Sequence, residues 1–340
     1  VQPVDTLGLE VGYRLSPLVD QAQNGELLRR IKGIRRKFAT DVGFLPPAVH
    51  IRDNLELKPS AYRISLKGVE IGSGESMPGM FLAINPGRVT AALPGTATTE
   101  PAFGLPAVWI DEAMRDQAQT QGYTVVDAAT VIATHLNHLI QTHAAELLGR
   151  SEVQSLLDRM QKDSAKLLED LIPKVIPVGV LQRVLQSLLE EGVHIRDMRT
   201  ILESIAEHAV HTQDPQELTA QVRIALGRAI AQSVTASDSE LEVIALGADL
   251  EKLLIQALAS GSPGAPGIEP GIADAITTEA ASAVARMENL GATPVLLTIP
   301  QLRAPLSRFL RRSIPHLKVV AHTEIPDNRK IRITAVLGGR

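Results

Sequence analysis

The sequence predicts a multidomain α/β (mixed α+β) protein in which small mixed-sheet α/β domains flank a helix-rich domain. Three observations predict this fold class. In residues 62–67 apolar and polar side chains alternate, which is the period-two pattern of a half-buried strand. From Ser151 to about residue 227 the apolar residues recur at helical spacing. Over 242–336 predicted strands alternate with predicted helices, which favours a largely parallel sheet.

Length and composition restrict the classes of protein that the chain can represent. A chain of 340 residues exceeds one comfortable core, so we expect two to four domains. The absence of cysteine excludes disulfides and thiolate catalysis, and a net charge of -4 gives no reason to expect nucleic acid as a partner. No run of 18 apolar residues occurs, and the chain begins at Val1 without a signal-type leader. We therefore expect a fragment that does not itself cross a bilayer.

The first third predicts a mixed sheet covered by helices. Pro46-Pro47 prevents a helix and favours extended backbone, and predicted strands follow it. The predicted strands cover 6–20, 48–52, 62–67, 69–71 and 80–84, and the predicted helices cover 26–38 and 128–148. Between them, an irregular Pro/Gly/Thr-rich tract at 88–106, a helix at 111–122 and a strand at 123–127 suggest an inserted unit.

The remaining two thirds predict helices and then a second α/β region. Asp214-Pro215-Gln216-Glu217 combines an N-cap residue, a proline at the first helical position and an acid at the third, so a helix should start there. Further helices are predicted at 180–191, 195–209, 248–259, 272–290 and 302–312, strands at 242–246, 294–299, 317–321 and 331–336, and a flexible Gly/Pro-rich loop at 261–267.

The sequence offers few candidates for the motifs of an enzyme. Gly72-Ser73-Gly74 lacks the spacing of a phosphate-binding loop and is better interpreted as a hairpin turn. His135, His138 and His143 form the only histidine cluster, and His135 and His138 share a helix face because they are three positions apart. A metal-dependent enzyme using these three histidines is one alternative. Histidines that satisfy a helix interface are the favoured interpretation.

The helix predicted at 26–38 carries a basic stripe. Its members are Arg29, Arg30, Lys32, Arg35, Arg36 and Lys37. A solvated helix face is the favoured interpretation. The alternative is contact with acidic lipid headgroups or an acidic partner, which would make the chain a membrane-surface adaptor. Nucleic acid is disfavoured because no aromatic residue interleaves these charges for base stacking.

The segment Glu100–Pro106 contains a phenylalanine, a rare residue in this chain, between two prolines. One interpretation is that Phe103 is packed in a local core. The other is that Phe103 is an exposed anchor, because aromatic side chains dominate interface hot spots.

Several long segments resemble one family. These are DTLGLEVGYRLSPLVD (5–20), GFLPPAVHIRDN (43–54), GVEIGSGE (68–75) and DPQELTAQVRIALGRAIAQ (214–232). Together they are similar to the cytoplasmic part of the type III secretion export-gate (FHIPEP) family. The length and sequence of the segments at 43–54 and 68–75 favour its flagellar branch over the virulence branch. The resemblance implies an N-terminal membrane region outside this chain and a location on the cytoplasmic side of the bacterial inner membrane. It also implies five segments: a linker end at 1–5, a first α/β domain at 6–78 plus 128–147, an inserted second domain at 79–127, a helix-rich third domain at 148–227 and a C-terminal α/β domain at 228–340.

The resemblance also implies a non-enzymatic function without a cofactor. Family members dock export chaperones with bound cargo, contact other export-apparatus proteins such as the export switch protein and the ATPase complex, and assemble into nine-fold rings. The family's chaperone-binding positions match Glu100, Phe103 and Thr134 here. Glu100 replaces an aspartate of the family motif, which keeps the charge but lengthens the side chain, and we expect it to act as an acid at the rim of the site.

Overall fold

The computed structural model describes residues 1–236, 238–261 and 267–339. The chain forms two compact units. The first comprises Val1–Asp163 with His194–Asp197, and the second comprises Ser164–Val193 with Met198–Arg340. The first unit contains two four-stranded sheets, and the second contains one. The finer five-segment division remains a prediction.

The first sheet confirms the predicted mixed topology. Its strands are β1 (Leu7–Val11), β2 (Val49–Asp53), β3 (Ala61–Leu66) and β4 (Val69–Glu75), in the order β2-β1-β3-β4. β1 pairs parallel with β2 and antiparallel with β3. The strand predicted at 6–20 is wrong beyond Val11: a 3₁₀ turn and α1 (Ser16–Val19) follow, with a proline in the first turn of α1. Proline lacks the N–H that a sheet ladder requires.

The second sheet is antiparallel throughout. Its strands are β5 (Phe81–Ile84), β6 (Thr96–Thr99), β7 (Pro106–Ile110) and β8 (Thr124–Asp127), in the order β6-β7-β5-β8. β6 lies inside the tract predicted to be irregular. All four of its residues are exposed on an edge strand, so the sequence carries no alternation of apolar and polar residues there.

Helices cover these sheets and continue the first unit. They are α2 (Glu26–Val42), α3 (Arg115–Thr120), α4 (Ala128–Thr142), α5 (Ala144–Leu147) and α6 (Arg150–Leu171). The carboxylate of Asp127 caps α4 by accepting a 2.8 Å hydrogen bond from the N–H of Thr130. α4 packs against α2, β4 and β5. The boundary between the two units falls within α6, where Ser164 has non-helical backbone angles.

The second unit begins with the predicted helix-rich segment. Its helices are α7 (Val178–Glu190), α8 (Met198–His208), α9 (Pro215–Ala225) and α10 (Gly227–Val234). The predicted start of α9 is confirmed, because the carboxylate of Asp214 accepts a hydrogen bond from the N–H of Gln216 at 3.0 Å.

The C-terminal region confirms the predicted parallel sheet. Its elements are β9 (Leu241–Leu246), α11 (Ala248–Ser260), α12 (Pro270–Asn289), β10 (Val295–Thr298), α13 (Pro300–Arg311), β11 (Lys318–Ala321) and β12 (Ile331–Leu337). The strand order is β11-β10-β9-β12, and all three pairings are parallel. Of the loop predicted at 261–267, residues 262–266 lie outside the described residues.

Candidate functional site

The loop between β6 and β7 is closed on itself by Glu100. Its carboxylate accepts hydrogen bonds from the N–H groups of Ala102 and Phe103, each at 2.8 Å. Its own N–H donates to the carbonyl of Leu105 at 2.8 Å, and its carbonyl accepts from the N–H of Gly104 at 2.9 Å. Gly104 has φ +71°, a left-handed conformation that favours glycine. Glu100 therefore holds the backbone of the loop that carries Phe103.

Phe103 is exposed and lies against α4. Its side chain is 61% exposed, so the interpretation as an exposed aromatic residue is the one that the structure supports. Its ring meets the imidazole of His138 edge-on, with the ring centroids 4.9 Å apart and the planes at 63°. Thr134, which is half-buried, precedes His138 by four positions and so lies on the same face of α4. Phe103 and Thr134 thus belong to one surface, which we call the Phe103 surface, comprising the loop 100–105 with Thr134 and His138.

His138 is the residue that sequence reasoning did not place in this site. The sequence suggests a histidine that satisfies a helix interface or, alternatively, a metal ligand, and neither interpretation connects His138 with Phe103. The available signal was its position, one helical turn after Thr134 and on the same face.

The carboxylate of Glu100 does not lie at the rim of this surface. Glu100 is 3% exposed, and both of its oxygens are occupied by N–H groups of its own loop. Burial raises the pKa of Tyr62 and the charge of Glu100 adds to this, whereas at His135 burial lowers the pKa and the charge of Glu100 opposes it, as expected of a carboxylate close to both side chains. Its position corrects the expectation of an exposed rim acid.

Beneath the loop, two further polar side chains form a buried pair. The hydroxyl of Tyr62 and Nδ1 of His135 are 2.7 Å apart and share a hydrogen bond. Burial, together with the charge of Glu100, raises the pKa of Tyr62. Burial lowers the pKa of His135, opposed by Glu100 and assisted by His138. Both groups are therefore neutral at pH 7, and the pair is a structural support.

The same layer depends on two glycines of β4, so the interpretation of Gly72-Ser73-Gly74 as a hairpin turn is wrong. A Cβ at Gly74 would lie 2.6 Å from the Tyr62 hydroxyl and 3.1 Å from Cγ of Pro101, and one at Gly72 would lie 2.9 Å from Nε2 of His135. The loop, Tyr62 and His135 therefore pack directly onto the backbone of β4.

The metal alternative for the three histidines is wrong in the part of the chain that the structure describes. No group of three His, Cys, Asp or Glu side chains is placed there to hold a metal ion. His135 pairs with Tyr62, His138 contacts Phe103, and Nδ1 of His143 lies 2.9 Å from the carbonyl of Leu139. Each imidazole therefore meets a different partner, and the three do not converge on one point.

Some of the basic side chains of helix α2 form ion pairs with acidic side chains. Arg30 contacts Glu26 at 2.9 Å and Asp127 at 3.2 Å, and Lys37 contacts Asp41 at 2.8 Å. These contacts fit a solvated helix face, and they do not test binding to acidic lipids, which remains a hypothesis.

The C-terminal parallel sheet contains the position at which open α/β folds usually bind ligands. The chain runs outward from β9 to β10 and β11 and then returns to β12, so the switch point lies between β9 and β12. A Cβ at Gly247, after β9, would lie 3.0 Å from the carbonyl of Gly338, after β12, and the N–H of Gly247 bonds the carbonyl of Leu337 at 2.7 Å. Asp249 and Glu251 in the first turn of α11 disfavour an anion. This crevice is filled by backbone, so the usual nucleotide position is closed.

The fold and this site define a multidomain α/β protein whose candidate site is an exposed aromatic loop supported by a buried polar layer. The chain belongs to the FHIPEP family, whose sequence pattern matches residues 1–330. Among the described residues, no helix is both long enough and apolar enough to traverse a membrane.

Comparisons with individual proteins agree with this membership. The chain is 58% identical over 340 residues to the flagellar biosynthesis protein FlhA of Escherichia coli (strain K12), covering 100% of this chain and 49% of that protein. It therefore spans about half the length of the curated relatives that it matches. The Chlamydia pneumoniae CdsV chain, solved in a CdsV and CdsO protein complex, has a TM-score of 0.84 at 25% identity, with 99% of each chain covered. The nonameric SctV-C structure from EPEC has a TM-score of 0.77 at 20% identity, again with 99% of each chain covered.

Proposed function

We propose that this chain is a docking platform of the flagellar type III protein export gate, and that it binds export chaperones with bound cargo through the Phe103 surface. The observation that carries the proposal is the position of Phe103: a large aromatic side chain, mostly exposed, on a loop that Glu100 holds closed. Exposing an aromatic ring to water is unfavourable unless a partner covers it, and aromatic anchors dominate the energetics of protein interfaces.

The surroundings of Phe103 suit a protein partner. Leu105, at the end of the same loop, is also exposed, and Thr134 and His138 contribute polar groups on the adjacent helix face. An apolar centre with polar groups beside it is the usual anatomy of a protein interface. The chemistry is docking, and no bond is made or broken.

The flagellar branch is favoured over a virulence-type export gate by identity. The chain is 58% identical to FlhA of Escherichia coli, against 25% for CdsV. The location that follows is the cytoplasmic side of the bacterial inner membrane.

We extend the proposal to assembly with copies of the chain and with other export-apparatus proteins. The nonameric SctV-C structure supports a homo-oligomeric ring, and the CdsV and CdsO complex supports contact with further proteins of the export machinery. The export switch protein and the ATPase complex are the candidates that the family resemblance names.

The test is a titration of the chain with a cargo-loaded flagellar export chaperone. Trp109, the single tryptophan, is buried in β7 close after the loop and packs in a cluster with Val131 of α4, so its fluorescence reports on the site. We expect saturable binding that Phe103→Ala weakens about 30-fold or more, the effect of losing a hot spot of about 2 kcal/mol. Leu55→Ala is the matched control, because Leu55 is also an exposed large apolar residue of the first unit.

Equal losses for the two variants would assign the effect to general surface hydrophobicity and reject this docking site. If calorimetry detects no binding of the unsubstituted chain, the proposed partner is wrong.

A further inference from the structure

The orientation of the Phe103 ring requires an explanation, because an exposed side chain normally samples several rotamers. Its side chain is 61% exposed, and ordering such a side chain on binding costs conformational entropy. In the structure one edge-to-face contact orients it: the imidazole of His138 lies 4.9 Å from the ring centroid at an interplanar angle of 63°. This geometry is one that aromatic pairs prefer.

We propose that His138 is a positioning residue for Phe103, which holds the ring in its binding orientation before a partner arrives. The inference rests on the proposed function of the Phe103 surface and adds a residue to it. The advantage is preorganisation, since a ring that is already oriented loses less freedom on binding.

The two supports of Phe103 act on different parts of the residue. Glu100 accepts a hydrogen bond from its backbone N–H at 2.8 Å, which places the Cα atom. His138 contacts the ring, which selects the side-chain rotamer. Together they define both the position and the direction of the aromatic anchor.

His138 can serve as a fixed support because buried side chains anchor α4 around it. Its neighbours Val131, His135 and Leu139 are buried, and His135 is further held by Tyr62 at 2.7 Å. The backbone at His138 is therefore rigid, and Thr134 lies one turn before it on the same face. A partner group that covers Thr134 also meets the ring of Phe103 in a defined orientation.

The first measurement uses the free protein and needs no partner. Fluorophenylalanine labelling gives one ¹⁹F resonance for each of the five phenylalanines, and Phe103→Leu identifies the resonance of Phe103. We expect His138→Ala to shift and sharpen this resonance, because the ring loses its neighbour, whereas His138→Tyr, which adds no labelled residue, keeps it dispersed. His143→Ala is the matched control, since His143 directly follows α4 and its imidazole contacts the carbonyl of Leu139.

The second measurement is a double-mutant cycle with a cargo-loaded flagellar export chaperone as the probe. We expect His138→Ala to weaken binding about threefold to tenfold, the usual effect of one aromatic pair, and His138→Phe to restore most of it. In a Phe103→Ala background, His138→Ala should cause no further loss, because a positioning residue acts through the ring that has been removed.

The outcomes separate this inference from the proposed function. If Phe103→Ala weakens binding while His138→Ala does not, the positioning role is wrong and the docking site stands. Additive losses would make His138 an independent contact and overturn the inference. An unchanged ¹⁹F resonance in His138→Ala would overturn it without reference to any partner. His138→Leu, of similar size without a π system, gives the same answer if the alanine variant fails to fold.

Discussion

Arg223 and Glu324 form a buried bidentate ion pair in the second unit. Nε of Arg223 donates to one carboxylate oxygen at 2.7 Å and Nη2 donates to the other at 3.1 Å, and the side chains are 3% and 2% exposed. Nη2 of Arg223 also donates to the carbonyl of Val319 at 3.3 Å. Arg303 lies 3.7 Å from the same carboxylate. The pair connects helix α9 to the segment that follows β11, so it joins the helix-rich part of this unit to its parallel sheet.

We expect Glu324→Gln to lower the free energy of unfolding of the second unit by about 3–5 kcal/mol, because it removes the hydrogen-bonded counter-charge of the buried Arg223 guanidinium. The measurement is urea denaturation followed by circular dichroism. Glu242→Gln is the control: its partner Arg332 is 58% exposed, so the loss should be about 1 kcal/mol or less. Similar losses for both variants would show that the pair does not hold these elements together.

We expect the second unit to lose stability in acid because of the carboxylate of Glu191. Burial alone would raise its pKa, but the hydrogen bond and charge of Arg303, the charge of Arg223 and the Ser307 hydroxyl lower the pKa to about 2 from 4.5. Because the folded-state pKa is the lower one, the stabilisation is complete above pH 4.5 and is lost as the pH falls from 4.5 towards 2. The full expected loss, for a difference of about 2.5 pKa units, is on the order of 3 kcal/mol.

Denaturation at pH 7, 4 and 3 would measure this effect. Glu191→Gln should be less stable at pH 7 and should show a smaller decline in acid. Glu190→Gln, at the exposed neighbouring position, should keep the decline of the unsubstituted chain. An undiminished acid response in Glu191→Gln would assign the pH dependence to other carboxylates.

Glu100 should act through the backbone of its loop. We expect Glu100→Gln to speed amide exchange at Ala102 and Phe103 by about tenfold or more, because an amide group keeps only one acceptor oxygen for two N–H donors. Glu100→Asp keeps two acceptors, and aspartate commonly accepts from N–H groups two and three positions on, so exchange should stay slow. Hydrogen exchange read by NMR is the measurement.

Glu112→Gln is the control for that experiment, because Glu112 is an exposed acid that follows β7 in the same unit. Slow exchange at Ala102 and Phe103 in Glu100→Gln would show that the carboxylate does not hold the loop.

Two glycine-to-alanine changes should have opposite effects. At Gly33, within α2, an added Cβ meets no atom within 4 Å, so Gly33→Ala should stabilise the first unit by about 0.5–1 kcal/mol through the lower backbone entropy of the unfolded chain. At Gly227, the first residue of α10, an added Cβ would lie 2.1 Å from the carbonyl oxygen of Glu324, so Gly227→Ala should destabilise the second unit by about 1–3 kcal/mol. Urea denaturation measures both, and a destabilising Gly33→Ala would contradict the open space seen around that position.

The local sequence pattern was sufficient to predict most of the helices and strands that bury one or both faces. The start of α9 follows from Asp214 and Pro215, and the four strands of the C-terminal sheet follow from short apolar runs between helices. β6 could not be predicted in this way. Its four residues are exposed, and its pairing with β7 comes from backbone hydrogen bonds, which leave no trace in side-chain periodicity.

The candidate site was only partly predictable for the same reason. Phe103 and Thr134 were selected by family resemblance, and nothing local distinguished an exposed ring from a buried one. His138 was considered for metal binding, although the structure assigns it to Phe103.

The sequence by itself determined the fold class, the order of most helices and strands, and membership of the FHIPEP family, because these depend on periodicity, capping residues and long matching segments. Only the tertiary structure decided that Glu100 is buried beneath its loop, that the three histidines do not converge, and that Arg223 pairs with Glu324 across 101 positions. The physical reason is the separation along the sequence over which each interaction acts. Capping and periodicity act within a few residues, whereas burial and charge pairing depend on which distant elements the completed fold brings into contact.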